Sequence, residues 1–295
     1  MAVFTIAGLT LKEAMRRRTL LGAILIGVLI LGLSLTLVPI RNHMEYMVSR
    51  SWRNAYWFAL EYPRVRTHIT TLCLAAIRIL SSIFAILLAG GAISGEIERG
   101  LLAVILPKPL RRWEIFCGKW IGLNVILMGS VLVWTGLVWA SLTLQTRADL
   151  HPILRAGLYL CLLPLVISTV TLTLSTITSR FLGTALALGL SAFSWFDGIL
   201  NALGREYDVD VLHSVANFAS MVVPQGCVAW WIHNVMEDIT YPDPRVPQLG
   251  ESPQFVKAWG QAHLHGFAYL DGVYFAAYVA LVFLLGILLF QRRDV

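Results

Sequence analysis

The sequence has 295 residues, of which 57% are hydrophobic and only 14% charged, with a mean hydropathy of +0.72. A soluble domain carries about 25% charged residues, so the composition excludes one. The +6 net charge needs no nucleic-acid partner, because bases beside membrane spans and anionic headgroups account for it.

Taken in chain order, residues 2–18 read as a helix lying in the membrane interface. Phe4, Ala7, Leu11, Ala14 and Met15 fall on one face, with Thr10, Lys12, Glu13, Arg16 and Arg17 on the rest. A first span is expected over 19–40. It is longer than a cleaved signal core and no small-residue cleavage site follows it, so the N-terminus is expected to be retained. An outer loop is expected over 41–70, a second span over 71–93 and a charged segment over 94–118. A third span follows at 119–144, and a fourth at 152–177 with Pro164 as a tolerated kink. The fifth, 182–200, ends in the polar cluster Asp197, Gly198 and Asn201.

Residues 201–271 are too long for a simple connection. Val211, Val215, Phe218 and Val222 fall at helical spacing, and "CVAWWIHNVM" is apolar but too short to cross, so short outer or re-entrant helices are expected. A proline-rich loop follows, then a last span over 272–290 and a terminal QRRDV. The expected fold is an all-α polytopic membrane protein, one transmembrane domain over residues 1–295 with six transmembrane helices. An even number of spans puts both termini on one side. Bases divide almost evenly between the two sides, and the arginines within 41–66 oppose a cytoplasmic assignment; Arg16, Arg17 and Arg18 abutting the first span favour it.

Catalytic patterns are scarce. The sequence contains no H-E-x-x-H, no Walker A loop and no nucleophile elbow. "GLSA" at 189–192 resembles the serine motif of rhomboid-type intramembrane proteases, but no predicted span supplies the histidine such an enzyme needs. His43, Met44 and Met47, and His233, Met236, His263 and His265, have copper-suited donors; they read as outer-loop residues, and no metal site is assigned. Cys73 and Cys227 both fall on the outer side, and unpaired burial is the expectation. Ionisable residues inside spans are costly and usually functional, which singles out Arg78 and Asp197 as a pair or an exit-path lining. The competing reading, slightly favoured, has Arg78 snorkelling and Asp197 capping its helix. Asn124 and the face carrying Ser168, Thr169, Thr171, Thr173, Ser175 and Thr176 are expected to make helix–helix hydrogen bonds.

The charged segment stands apart from the greasy chain around it. "GEIERG" is a charged turn, "LLAVIL" is too short to cross and must bury its face, and "PKP" stops that helix. "LRRWEIFCGKW" restarts one, with Leu110, Trp113, Cys117 and Trp120 on one face. Such an amphipathic piece between two spans suits docking in a partner's groove, with rim charges setting register.

This segment resembles the region between the second and third spans of type-2 ABC transporter permeases (the ABC-2 family). The pattern is carried by Glu96, Glu98, Arg99, Gly100, Leu102, Leu106, Pro109, Arg112, Trp113, Ile115, Gly118 and Lys119. The six-span layout, the interfacial helix, the outer helices and the terminal F-x-R-R-D agree with it. Members usually carry Thr and Ser where this chain has Leu101 and Arg111. The resemblance extends, more loosely, to permeases of the copper-processing, nitrous-oxide-reductase accessory type. It implies a non-catalytic permease of a prokaryotic plasma membrane, with both termini cytoplasmic, acting as an exporter. It further implies a second permease copy, a separate ABC ATPase subunit holding ATP and Mg, and no cofactor on this chain. The ATPase-coupling residues it implies are Glu96, Glu98, Arg99, Gly100, Leu101, Leu102, Pro109, Arg112, Trp113, Gly118 and Lys119. The alternative is a membrane-embedded assembly factor with no transport cycle.

Overall fold

A computed structural model describes residues 2–16, 22–32, 35–36, 55–98, 111–146, 150–195, 200, 207, 209, 211–212, 214–215, 218, 222–240 and 268–292. Every regular element among them is an α-helix. We number these α1 (Ala2–Arg16), α2 (Gly22–Gly32), α3 (Ala55–Ala89), α4 (Ser94–Glu98) and α5 (Arg112–Thr146). They continue with α6 (His151–Leu160), α7 (Leu162–Ile177), α8 (Arg180–Trp195), α9 (Gln225–Thr240) and α10 (Ala268–Arg292).

Among the described residues, four stretches are long and apolar enough to cross a membrane: Thr70–Ile97, Arg112–Leu144, His151–Ile177 and Asp271–Arg292. They contain the second, third, fourth and sixth predicted spans. The first and fifth are represented by the shorter apolar helices Gly22–Gly32 and Arg180–Ser194. α3, which carries the first of these stretches, begins at Ala55, well before it, and α5 begins at Arg112, ahead of the third predicted span. Each has 35 residues, or about 52 Å at 1.5 Å per residue. That exceeds a ~30 Å hydrocarbon core, so both project into the headgroups or beyond.

Local chemistry sets the boundaries. Glu114 accepts a hydrogen bond from the Arg111 backbone N–H at 2.9 Å, tying down the first turn of α5. α6 and α7 are separated by one turn residue, Cys161, three positions before Pro164. The proline has no N–H for the carbonyl one turn back, and the break at its predicted kink follows from that. The α7–α8 connection is closed by Thr178, whose hydroxyl and N–H both donate to the Leu174 carbonyl.

The helices pack around two apolar clusters. The larger brings together Ile77 and Ile86 of α3, Leu127 and Trp134 of α5, Leu160 of α6, Leu163 of α7, Val228 of α9 and Phe275 of α10. The smaller lies at one end of the bundle and combines Ala89, Ile93, Ile115, Phe116, Leu123, Leu172 and Phe290, with Ile6 of α1 and Ile97 of α4 against it. On α10, Leu281, Leu284 and Leu288 point outward and exposed, as expected of a helix facing lipid or a second subunit.

Hydrogen bonds between α5 and α7 bear out the polar face expected there. Ser168 donates to Asn124 Oδ1 at 3.0 Å, and Trp120 Nε1 donates to Thr169 Oγ1 at 2.8 Å. Thr173 reaches the Val282 carbonyl of α10 at 3.2 Å. Thr171, Ser175 and Thr176 turn back to carbonyls of their own helix. None of the four cysteines is in a disulfide; Cys73, Cys161 and Cys227 are buried.

Candidate functional site

The smaller cluster is roofed by charge, and the roof is built from the segment that stood out in the sequence. α3 ends at Gly90 and Gly91, the chain turns through Ala92 and Ile93, and α4 begins at Ser94. Ser94 donates to the Gly90 carbonyl at 3.0 Å, and the amides of Glu96 and Ile97 both donate to Ile93. The turn therefore holds its shape by its own hydrogen bonds.

Lys119 enters from α5. Its ammonium pairs with Glu96 and also donates to the Ala92 carbonyl. The two side chains are only 8% and 18% exposed. A buried pair of this kind is costly to desolvate, and it holds position only when its remaining hydrogen bonds are made. Here the Ala92 carbonyl, in the turn between α3 and α4, supplies one of them. α3, α4 and α5 are thus fixed to one another at a single ammonium.

Two more arginines reach neighbouring elements. Arg112, at the start of α5, donates from Nη1 to the Gln291 carbonyl near the end of α10, at 3.3 Å. Arg180, at the start of α8, lies over Gly91, where a Cβ would come within 2.8 Å of its Nε. Arg at a helix C-terminus satisfies carbonyls that have no intrahelical donor.

Gly118 is buried beneath this roof against α1. A Cβ there would sit 2.7 Å from the Ile6 side chain and 2.9 Å from the Val3 carbonyl. Gly122, one turn on, meets the Ala7 carbonyl at 2.9 Å in the same sense. The pair is a small-x-x-x-small spacing that lets two helix backbones approach closely. α1 therefore uses Val3, Ile6, Ala7 and Thr10 against α5, while Phe4 and Lys12 are exposed.

Of the residues singled out in the sequence, Glu96 and Lys119 are brought into contact. Arg112 lies at the same end of the bundle, Trp113 is 37% exposed, and Gly118 packs under them. Glu98 closes α4, but its side chain lies outside the described residues, as do Arg99, Gly100, Leu101, Leu102 and Pro109. Arg78 is 5% exposed, deep between helices of the bundle, and Asp197 lies outside the described residues. Sequence reasoning missed Arg180, Gly91 and Gly122. The last was findable, since Gly118 and Gly122 are four residues apart in an apolar helix.

No group of three or more His, Cys, Asp or Glu side chains that could hold a metal occurs among the described residues. Chemically, the arrangement can bear load. Charged and partly exposed side chains face outward, and α1, α3, α4, α5, α7 and α10 rest on one apolar cluster beneath them.

A search of curated proteins found no match to the chain. A family model described as ABC-2 family transporter protein matches residues 4–295.

Proposed function

The chain belongs to the ABC-2 family of transporter proteins, whose members are membrane permease subunits of ABC transporters, and on that premise we propose that the α4 end of its bundle receives the ATPase subunit. In this reading α4, residues 99–110 and the start of α5 dock in a groove of the ATPase. The α4 end then faces the cytoplasm, where ATP is, in the plasma membrane of a prokaryote. Two copies of the permease, each with its ATPase, form the exporter.

The observation that carries the reading is the ion pair of Lys119 with Glu96 over the smaller apolar cluster. A displacement of α4 cannot be absorbed locally. It reaches α5 through Lys119, α3 through the Ala92 carbonyl, and α1, α7 and α10 through Ile6, Leu172 and Phe290. Close-packed interfaces switch between discrete arrangements rather than deform continuously, so closure of the ATPases would move whole helices. The resemblance to the copper-processing type concerns sequence layout alone, and the proposal uses only the architecture common to the family.

The test is co-purification of the ATPase subunit with the wild-type chain and with Glu98→Lys and Leu102→Asp. The docking reading predicts loss of the ATPase from both variants. Undiminished co-purification and ATP hydrolysis from both would overturn it and return the chain to the role of a membrane assembly factor.

A further inference from the structure

We propose that Arg180 is a positioning residue that makes α8 move with the α3–α4 turn, so that α8 acts as a strut between the docking end of the bundle and the entry to α9. The inference rests on the docking reading above and names the helix that carries the movement onward.

Arg180 opens α8, and its side chain lies over two glycines. A Cβ on Gly91 would come within 2.8 Å of its Nε and 3.3 Å of its Cζ, and one on Gly95 would touch its Cδ at 4.0 Å. Gly91 belongs to the turn after α3 and Gly95 to α4. One side chain therefore spans both pieces of the segment that carries Glu96. One turn further along α8, Thr184 donates to the Arg180 carbonyl at 2.7 Å and packs against Gly90, where a Cβ would overlap its hydroxyl. The first turn of α8 is thus seated on the end of α3 at Gly90, Gly91 and Gly95.

Between its ends α8 is held more loosely. The side chains it buries are small, at Gly183, Ala187, Ser191 and Ser194. The larger apolar cluster takes Ala187 from it, with Leu190 half-buried alongside. Phe181, Leu182, Leu186, Leu188 and Phe193 point outward and exposed. Small side chains let helices approach closely without deep interdigitation. Packed helices of this kind move by small sliding steps.

The far end is tied again. The fully buried Ser194 hydroxyl donates at 3.0 Å to the carbonyl of Val223, two residues before α9 begins at Gln225. The neighbouring Val222 carbonyl accepts from the Tyr278 hydroxyl of α10 at 2.5 Å. The turn into α9 is thus shared between α8 and α10, and a shift of α8 pulls on one of its two carbonyls. Arg180 and Ser194 are about 21 Å apart along the helix, most of the way across a ~30 Å hydrocarbon core. A helix seated at one end, bonded at the other and smooth between them transmits displacement as a rod.

The test uses the full permease–ATPase complex in neutral detergent, with trifluoromethyl-phenylalanine in place of Phe193 or of Trp230 in α9. Fluorine NMR is read with and without a non-hydrolysable ATP analogue. Both labels should shift on adding the analogue. Arg180→Ala should lose the response at 193 while the ATPase stays bound, and Arg180→Lys, which keeps the cation and stem, should retain part of it. Ser194→Ala should keep the response at 193 and lose that at 230. An unchanged response at 193 in Arg180→Ala, no response at 193 in the wild type with ATPase bound, or a response at 230 indifferent to Ser194→Ala would overturn the strut. Loss of the ATPase from Arg180→Ala would make Arg180 a docking contact and overturn it equally. Absence of the ATPase from the wild-type complex is a failure of the docking reading itself, visible before any fluorine signal is taken, and the strut would fall with it.

Discussion

Lys119 on α5 pairs with Glu96 on α4, and the same ammonium donates to the Ala92 carbonyl in the turn that joins α3 to α4. One cation thus ties together three helices that the sequence separates by a proline-containing segment. Its energetic signature should be asymmetric. Removing one partner of a buried pair strands a charge at a cost of about 3–5 kcal/mol, whereas replacing both with neutral groups is close to neutral. Lys119→Met should therefore destabilise the chain by roughly 3 kcal/mol, the lower end because Glu96 keeps some water. The double variant with Glu96→Gln should recover most of that. Denaturant unfolding in detergent micelles measures both, and equal losses from the single and double variants would contradict the pairing.

α1 is held to α5 by the absence of side chains at Gly118 and Gly122. Gly118→Ala drives a methyl group into both Ile6 and the Val3 carbonyl, and overpacking of this kind costs about 1–3 kcal/mol. Ile6→Ala in the same chain should restore only part of the loss, since the residue 6 Cβ and the Val3 carbonyl both remain. Gly129→Ala, on the same helix with nothing within 4 Å of its Cβ, should be neutral or slightly stabilising through helix propensity. Unfolding midpoints of the three variants separate close packing from a general intolerance of change.

The bond from Ser168 to Asn124 crosses from α7 to α5 within the apolar layer. Such bonds contribute about 0.6 kcal/mol on average and up to about 1.7 kcal/mol in membrane proteins. Asn124→Leu and Ser168→Ala should each lower stability by about that amount, with a double-mutant coupling near 0.6 kcal/mol. Additive losses would mean that the two side chains do not interact.

The polar face of α7 was legible because hydroxyls in an apolar helix have few partners, and neighbouring helices are among them. Which hydroxyls would cross was not. Thr169 meets Trp120 while Thr171 folds back to Ile167, a difference set by the rotation of each position relative to α5. The start of α3 at Ala55 was hidden because hydropathy reports the thickness of the hydrocarbon, and residues such as Arg64 and Arg66 end the apolar stretch without ending the helix. Glu96 and Lys119 were both marked by their pattern, but opposite signs 23 positions apart do not specify contact; the turn at Gly90–Gly91 does.

The most direct measurement is site-specific photo-crosslinking of the assembled complex, with a photoreactive residue in place of Trp113 or of Leu144. Both positions are exposed, at 37% and 81%, and they lie at opposite ends of α5. Docking at the α4 end predicts a crosslink to the ATPase subunit from position 113 and none from position 144. A crosslink from 144, or none from 113 while the ATPase remains bound, would contradict it.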